Sequence, residues 1–160
     1  MIKKLTYPLF LLVLASLFYS GCVKNETCLP ANNFLYADFY YSESDTVDVA
    51  TTVDSLSLYI IGREDSVLYD NEKGLGSVSI PLSDDLTEIT VVIKINDAVD
   101  TLYIKYNPYS VFRSTECGVI NRYEIADPEF TDNRIIKITN DNNTVDETEA
   151  VNLYLVVDLD

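Results

Sequence analysis

The sequence has no histidine and no tryptophan among its 160 residues. Without histidine there is no Ser-His-Asp triad, no Cys-His dyad and no His-ligated zinc, copper or haem. Basic residues are few: 11 Lys+Arg stand against 26 Asp+Glu, a formal net charge of −15. A pI near 4.1 excludes a nucleic-acid partner, because phosphate recognition needs a basic face. Long apolar runs are lacking too. The one candidate, Leu5 to Phe18, falls short of the ~20 residues a spanning helix needs. Helical periodicity is scarce after residue 30.

A hydrophobic content of 48% is enough for one folded domain. Lys3 and Lys4 precede the apolar run, and Ser20-Gly21-Cys22 follows it after Tyr19. This order reads as a lipoprotein signal peptide over 1–21, cleaved before Cys22, whose thiol then carries diacylglycerol. The alternatives are an uncleaved anchor or a secreted chain with a free cysteine. So acidic a domain is repelled by an anionic membrane surface, so attachment falls to the lipid. In an oxidising compartment the other two cysteines, Cys28 and Cys117, read as a disulfide. Closing so long a loop is worth about 4.6 kcal/mol in chain-entropy terms; the alternative is two separate thiols. Residues 22–32 form a short tether, whose Cys22–Cys28 part reaches on the order of 20 Å. Residues 33–160 form a single domain.

That domain alternates with period two. Leu56, Leu58 and Ile60 share a phase, as do Val78, Ile80 and Leu82, then Ile89, Val91, Ile93 and Ile95, then Leu102, Ile104 and Tyr106. Val119, Tyr123 and Ile125 follow, then Ile136 and Ile138, then Val151, Leu153, Leu155 and Val157. Asn33 to Tyr41 is an aromatic strand of unassigned inward phase. Asn96-Asp97 marks a hairpin over 88–107. Pro81 belongs near an edge. The expected fold is all-β: an antiparallel, immunoglobulin-like sandwich of about seven or eight strands.

Three patterns carry a resemblance. They are Cys28-Leu29-Pro30 close behind the lipobox and before an aromatic strand; the block from Ser79-Ile80-Pro81-Leu82 through Thr101-Leu102-Tyr103-Ile104-Lys105-Tyr106; and Arg113-Ser114-Thr115-Glu116-Cys117-Gly118 followed by Tyr123-Glu124-Ile125. Together they resemble an uncharacterised family of small lipoproteins from Bacteroidota cell envelopes. The resemblance implies an outer-membrane-anchored β-domain without catalytic residues. It also implies a partner: an outer-membrane β-barrel protein or its assembly machinery.

Candidate chemistry is thin. Asp84-Asp85, Asp45 with Asp48, and Asp146-Glu147 offer carboxylates, but no nucleophile stands beside a base. Calcium would suit Asn140-Asp141-Asn142-Asn143, Asp146-Glu147 or Ser83-Asp84-Asp85, yet no EF-hand spacing is present and flexible hairpin tips explain them as well. No metal, cofactor, catalytic residue or small-molecule substrate is expected. Tyr59, Tyr103 and Tyr154 lie on the phase opposite their strands' core residues, so they are the candidate interaction face. Thr46, Ser55, Ser66 and Thr101 each follow Asp and precede an aliphatic residue, similar to an O-glycosylation sequon of that bacterial group; turn chemistry before strands gives the same pattern. Val23-Lys24-Asn25-Glu26 only partly matches a surface-export signal, which favours the periplasmic face of the outer membrane. The expected function is a non-catalytic protein-interaction module. The alternative is a surface glycan-binding or adhesion module.

Overall fold

The computed structural model describes residues 28–44 and 47–159. The expected signal peptide, Cys22 with the first part of the expected tether, Asp45 and Thr46 lie outside the described residues. The rest folds as two stacked sheets. One contains β1 (Phe34–Ser44), β2 (Val47–Ala50), β5 (Ser77–Pro81), β10 (Ile135–Asn140) and β12 (Leu153–Val157). The other contains β3 (Leu56–Ile60), β4 (Tyr69–Glu72), β6 (Glu88–Ile95), β7 (Ala98–Ser114), β8 (Gly118–Ile125), β9 (Glu129–Phe130) and β11 (Thr144–Val145). The all-β sandwich is as expected. Its long strands are β1, β3, β5, β6, β7, β8, β10 and β12, and the four short ones are brief pairings that alternation cannot reveal.

Alternation works because each sheet buries one face. Leu56, Leu58 and Ile60, Val78 and Ile80, Ile89 through Ile95 in steps of two, and Leu102, Ile104 and Tyr106 are all buried. Leu35, Ala37 and Phe39 supply the inward phase of β1, which alternation had left open. The Asn96-Asp97 turn joins β6 to β7, with Ile95 paired to Ala98 and Asn96 at φ 53°, a left-handed angle that asparagine tolerates. Pro81 is the last residue of β5, which pairs only with β1, so its missing N–H costs no ladder bond.

Three expectations need correction. Val119 shares a phase with Tyr123 and Ile125 but is 64% exposed. Ile136 is exposed while Ile135 is fully buried, because the β10–β12 register shifts between Ile135 and Lys137; a bulge of this kind turns the following side chains over. Finally, the sandwich is not wholly antiparallel. β1 runs parallel to β12, from Ala37 opposite Leu153 to Tyr40 opposite Val156.

Two buried polar side chains hold the corners. Asn152 is fully buried; its Oδ1 accepts from the Tyr36 N–H at 3.0 Å, and its Nδ2 donates to the carbonyls of Asn142 and Thr144. Asp100 on β7 is 1% exposed and sits where the chain leaves β9 in one sheet for β10 in the other. Its Oδ1 accepts from the Thr131 hydroxyl at 2.9 Å and the Asn133 N–H at 2.8 Å. Its Oδ2 accepts from the N–H groups of Arg134 at 2.8 Å and Ile135 at 2.9 Å. Burial pushes its pKa up, but these donors outweigh that and hold the carboxyl below its ordinary range.

A lowered folded pKa makes the ionised form the stabilising one. The contribution is complete above the unfolded aspartate value of about 4 and is lost as pH falls through the folded value. Asp100→Asn puts an amide against the same N–H groups. Urea unfolding near neutral pH should show a loss of about 3 kcal/mol, and the variant should lose less further stability than the parent on acidification.

Candidate functional site

β7 outruns its first partner. It pairs with β6 from Ala98 to Lys105 and with β8 from Tyr106 to Ser114. The second half therefore forms a hairpin that continues away from the Asn96-Asp97 end. The even residues of β7 face the core as far as Tyr106, which is 4% exposed. Further along the same phase, Phe112 is 65% exposed. It is paired directly across the ladder with Val119, so the two apolar side chains share one face near the hairpin tip.

The projecting hairpin is held at several points. At its turn, Cys117 is disulfide-bonded to Cys28, with Cα atoms 5.4 Å apart. On one side Glu147 closes a clamp: its Oε1 accepts from Arg113 Nη1 at 3.0 Å and Arg122 Nη2 at 2.8 Å, and its Oε2 accepts from Arg122 Nε at 3.1 Å. The Glu147 side chain is only 7% exposed, and the Arg122 guanidinium keeps its carboxyl below the usual range despite burial. On the other side Asp84 accepts from the Tyr123 hydroxyl at 2.7 Å and Asn121 Nδ2 at 2.8 Å. Burial and this carboxylate together push the Tyr123 pKa up. The Tyr106 ring meets Tyr123 edge-on at 5.8 Å, and its hydroxyl donates to the Ser83 carbonyl.

These contacts account for several carboxylates singled out above. Asp84 and Glu147 are structural ties to the hairpin. Asp146 Oδ1 accepts from the N–H and hydroxyl of Thr148. Asp48 accepts from Ser42 Oγ and from Lys137 Nζ at 2.7 Å. Asp141 Oδ2 accepts from the Tyr154 hydroxyl at 2.9 Å, while the Asn140–Asn143 turn is bonded to the backbone and side chain of Asn152.

The three outward tyrosines do not form one face. Tyr59 and Tyr103 share the outer face of the β3–β6–β7 sheet, on either side of β6. Tyr59 stands opposite Val92 and Tyr103 opposite Thr90. Val92 is only 8% exposed although its phase is the outer one. Tyr154 belongs to the other sheet, where its ring lies 4.8 Å from Tyr40. Its hydroxyl is already engaged by Asp141, which pushes its pKa up. Strand order decides this, and alternation alone does not contain it.

The O-glycosylation candidates also separate. Ser66 is exposed between β3 and β4. The Ser55 hydroxyl donates to Asn71 Oδ1 at 2.6 Å. Thr101 is half-buried within β7, opposite Val92. The Asp of that sequon is Asp100, whose carboxylate is fully used at the inter-sheet corner.

Residues 52–157 match DUF6452, a family of unknown function. The chain belongs to that family. The matched span runs from just before β3 to the end of β12, so it contains the hairpin, Cys117, Glu147 and the Tyr59–Tyr103 face. It leaves out β1, β2 and Cys28. No curated protein and no solved structure matches the chain significantly.

The Cys28–Cys117 bond closes a loop with a sequence separation of 89. Replacing both cysteines by serine should cost about 3 kcal/mol, read as a drop in Tm of roughly 10 °C. Reduction of the parent should lower Tm by a similar amount and leave the double variant unchanged.

Proposed function

We propose that this chain is a non-catalytic interaction module of a bacterial cell envelope, anchored in the outer membrane by diacylglycerol on Cys22. It docks on an outer-membrane β-barrel protein or on its assembly machinery, from the periplasmic face. The observation that carries this reading is the outer face of the β3–β6–β7 sheet. Tyr59 and Tyr103 put two aromatic rings on a sheet face bordered by Glu88, Lys94, Lys105 and Glu129, and aromatic centres inside a charged rim mark protein interfaces. The disulfide supports it from another side. It joins Cys28, close behind the proposed anchor, to the folded body, so the body is held within on the order of 20 Å of the bilayer.

A second reading rests on the same rings. Tyr59 and Tyr103 flank Thr90 and Thr101, and aromatic faces beside hydroxyls suit a sugar. A surface glycan-binding or adhesion module is therefore the alternative.

Detergent pull-down of the lipidated protein from native membranes, with mass spectrometry, separates the two. An outer-membrane barrel protein should co-purify in stoichiometric amount. It should be absent from a Cys22→Ser control and depleted at least about tenfold by Tyr59→Ser with Tyr103→Ser, a loss of roughly 1.4 kcal/mol or more. Both tyrosines lie on an outer face, so the double variant should keep a Tm close to the parent's. Tyr154→Ser should leave retention unchanged. Partner-free protein that binds a glycan array would overturn the first reading in favour of the second.

A further inference from the structure

Exposed large apolar side chains occur at both ends of the sandwich, and the two most exposed, Phe112 and Val119, lie at the end that carries the disulfide. β7 runs towards that end, β6 begins there and β3 ends there. Phe112 is 65% exposed, Val119 64%, Ile61 54% and Leu29 46%. Leu86 and Phe34 belong to the same end. Leu86 follows Asp84, which is bonded to the hairpin through Asn121, and Phe34 follows Asn33, whose carbonyl accepts from the Leu82 N–H. Ile60, Ile61, Leu86 and Ile89 line an open hollow of about 310 Å³ there. The tip is also stiff. The disulfide, the Glu147 clamp and the Asp84 bonds brace the hairpin, so presenting Phe112 and Val119 to water is a built feature of the fold.

We infer that the β7–β8 hairpin tip, with Phe112 and Val119 just behind the turn at 115–117, dips into the bilayer interface as a second, non-covalent attachment. The inference rests on the Cys22 anchor proposed above. The occupant follows from the tether. Cys28 is bonded to the hairpin turn itself, and the segment from Cys22 to Cys28 spans on the order of 20 Å at most, so the surface nearest the exposed pair is the lipid in which the anchor sits. Exposed Glu116 in the turn and Asp85 in the neighbouring loop favour a zwitterionic over an anionic headgroup surface. Aromatic and aliphatic side chains at a tip partition into that zone to a depth of ~5–10 Å.

The absence of tryptophan supplies a clean reporter. Lipidated full-length mature protein with Phe112→Trp is reconstituted into phosphatidylcholine vesicles whose acyl chains carry bromine. Val99→Trp, exposed beside the turn at the opposite end, is the control. Quenching of about twofold for Phe112→Trp, with little for Val99→Trp, supports insertion at the expected depth. Protein that floats with the vesicles but shows no quenching at position 112 overturns the inference and leaves the anchor standing. Protein that does not float overturns the anchor, and the inference with it. An indole at 112 that is shielded in native membranes but unquenched in pure lipid overturns it too, in favour of a protein occupant.

Discussion

The Asp100 carboxylate is the constraint around which the two sheets are assembled. A sandwich needs its chain to cross from one sheet to the other, and each crossing exposes backbone N–H groups that no ladder satisfies. Here the crossing from β9 to β10 passes over the start of β7, and one buried side chain accepts the Thr131 hydroxyl and the N–H groups of Asn133, Arg134 and Ile135. A neutral side chain of the same size cannot accept four donors. Asn152 solves the matching problem before β12 by donating to two carbonyls and accepting from one N–H. With both corners fixed, the alternating apolar residues have only one register in which to meet.

What alternation made legible is the part of the fold in which each strand has one wet and one buried face. β3, β5, the first half of β7 and, apart from buried Val92, β6 follow it residue by residue. It failed where a strand outlasts its cover. Val119 continues the core phase of Tyr123, and in the sequence it looks like core; it is exposed, as is its cross-strand partner Phe112, because the hairpin projects past the packed layers. The expected hairpin stops at 107, before Pro108, whereas β7 runs on through Pro108 to Ser114. Asp100 was visible only as part of a modification pattern, because a buried carboxylate and a solvated one are spelled alike. The Tyr59–Tyr103 pairing depends on β6 lying between β3 and β7, a long-range fact with no local trace.

The candidate contact surfaces fall into two classes of position. The apolar tip and the tether lie at one end of the strands, and the tyrosine face lies along their side. A body attached by its end presents its side parallel to the membrane normal. Tyr59 and Tyr103 would then look along the plane of the bilayer, towards whatever else is embedded there, whereas Tyr154 looks the opposite way from the other sheet. The proposed anchor would thus convert an otherwise ordinary patch of tyrosines into a directed one.

The parallel pairing of β1 with β12 has a consequence for how the chain is made. The first described strand has its neighbour in the last one, β12. Such a contact spans nearly the whole domain, so its loop-closure cost is met only when the C-terminal end is present. A chain threaded through a narrow channel from its N-terminus cannot close the five-stranded sheet behind itself. That sheet closes only once β12 can reach β1.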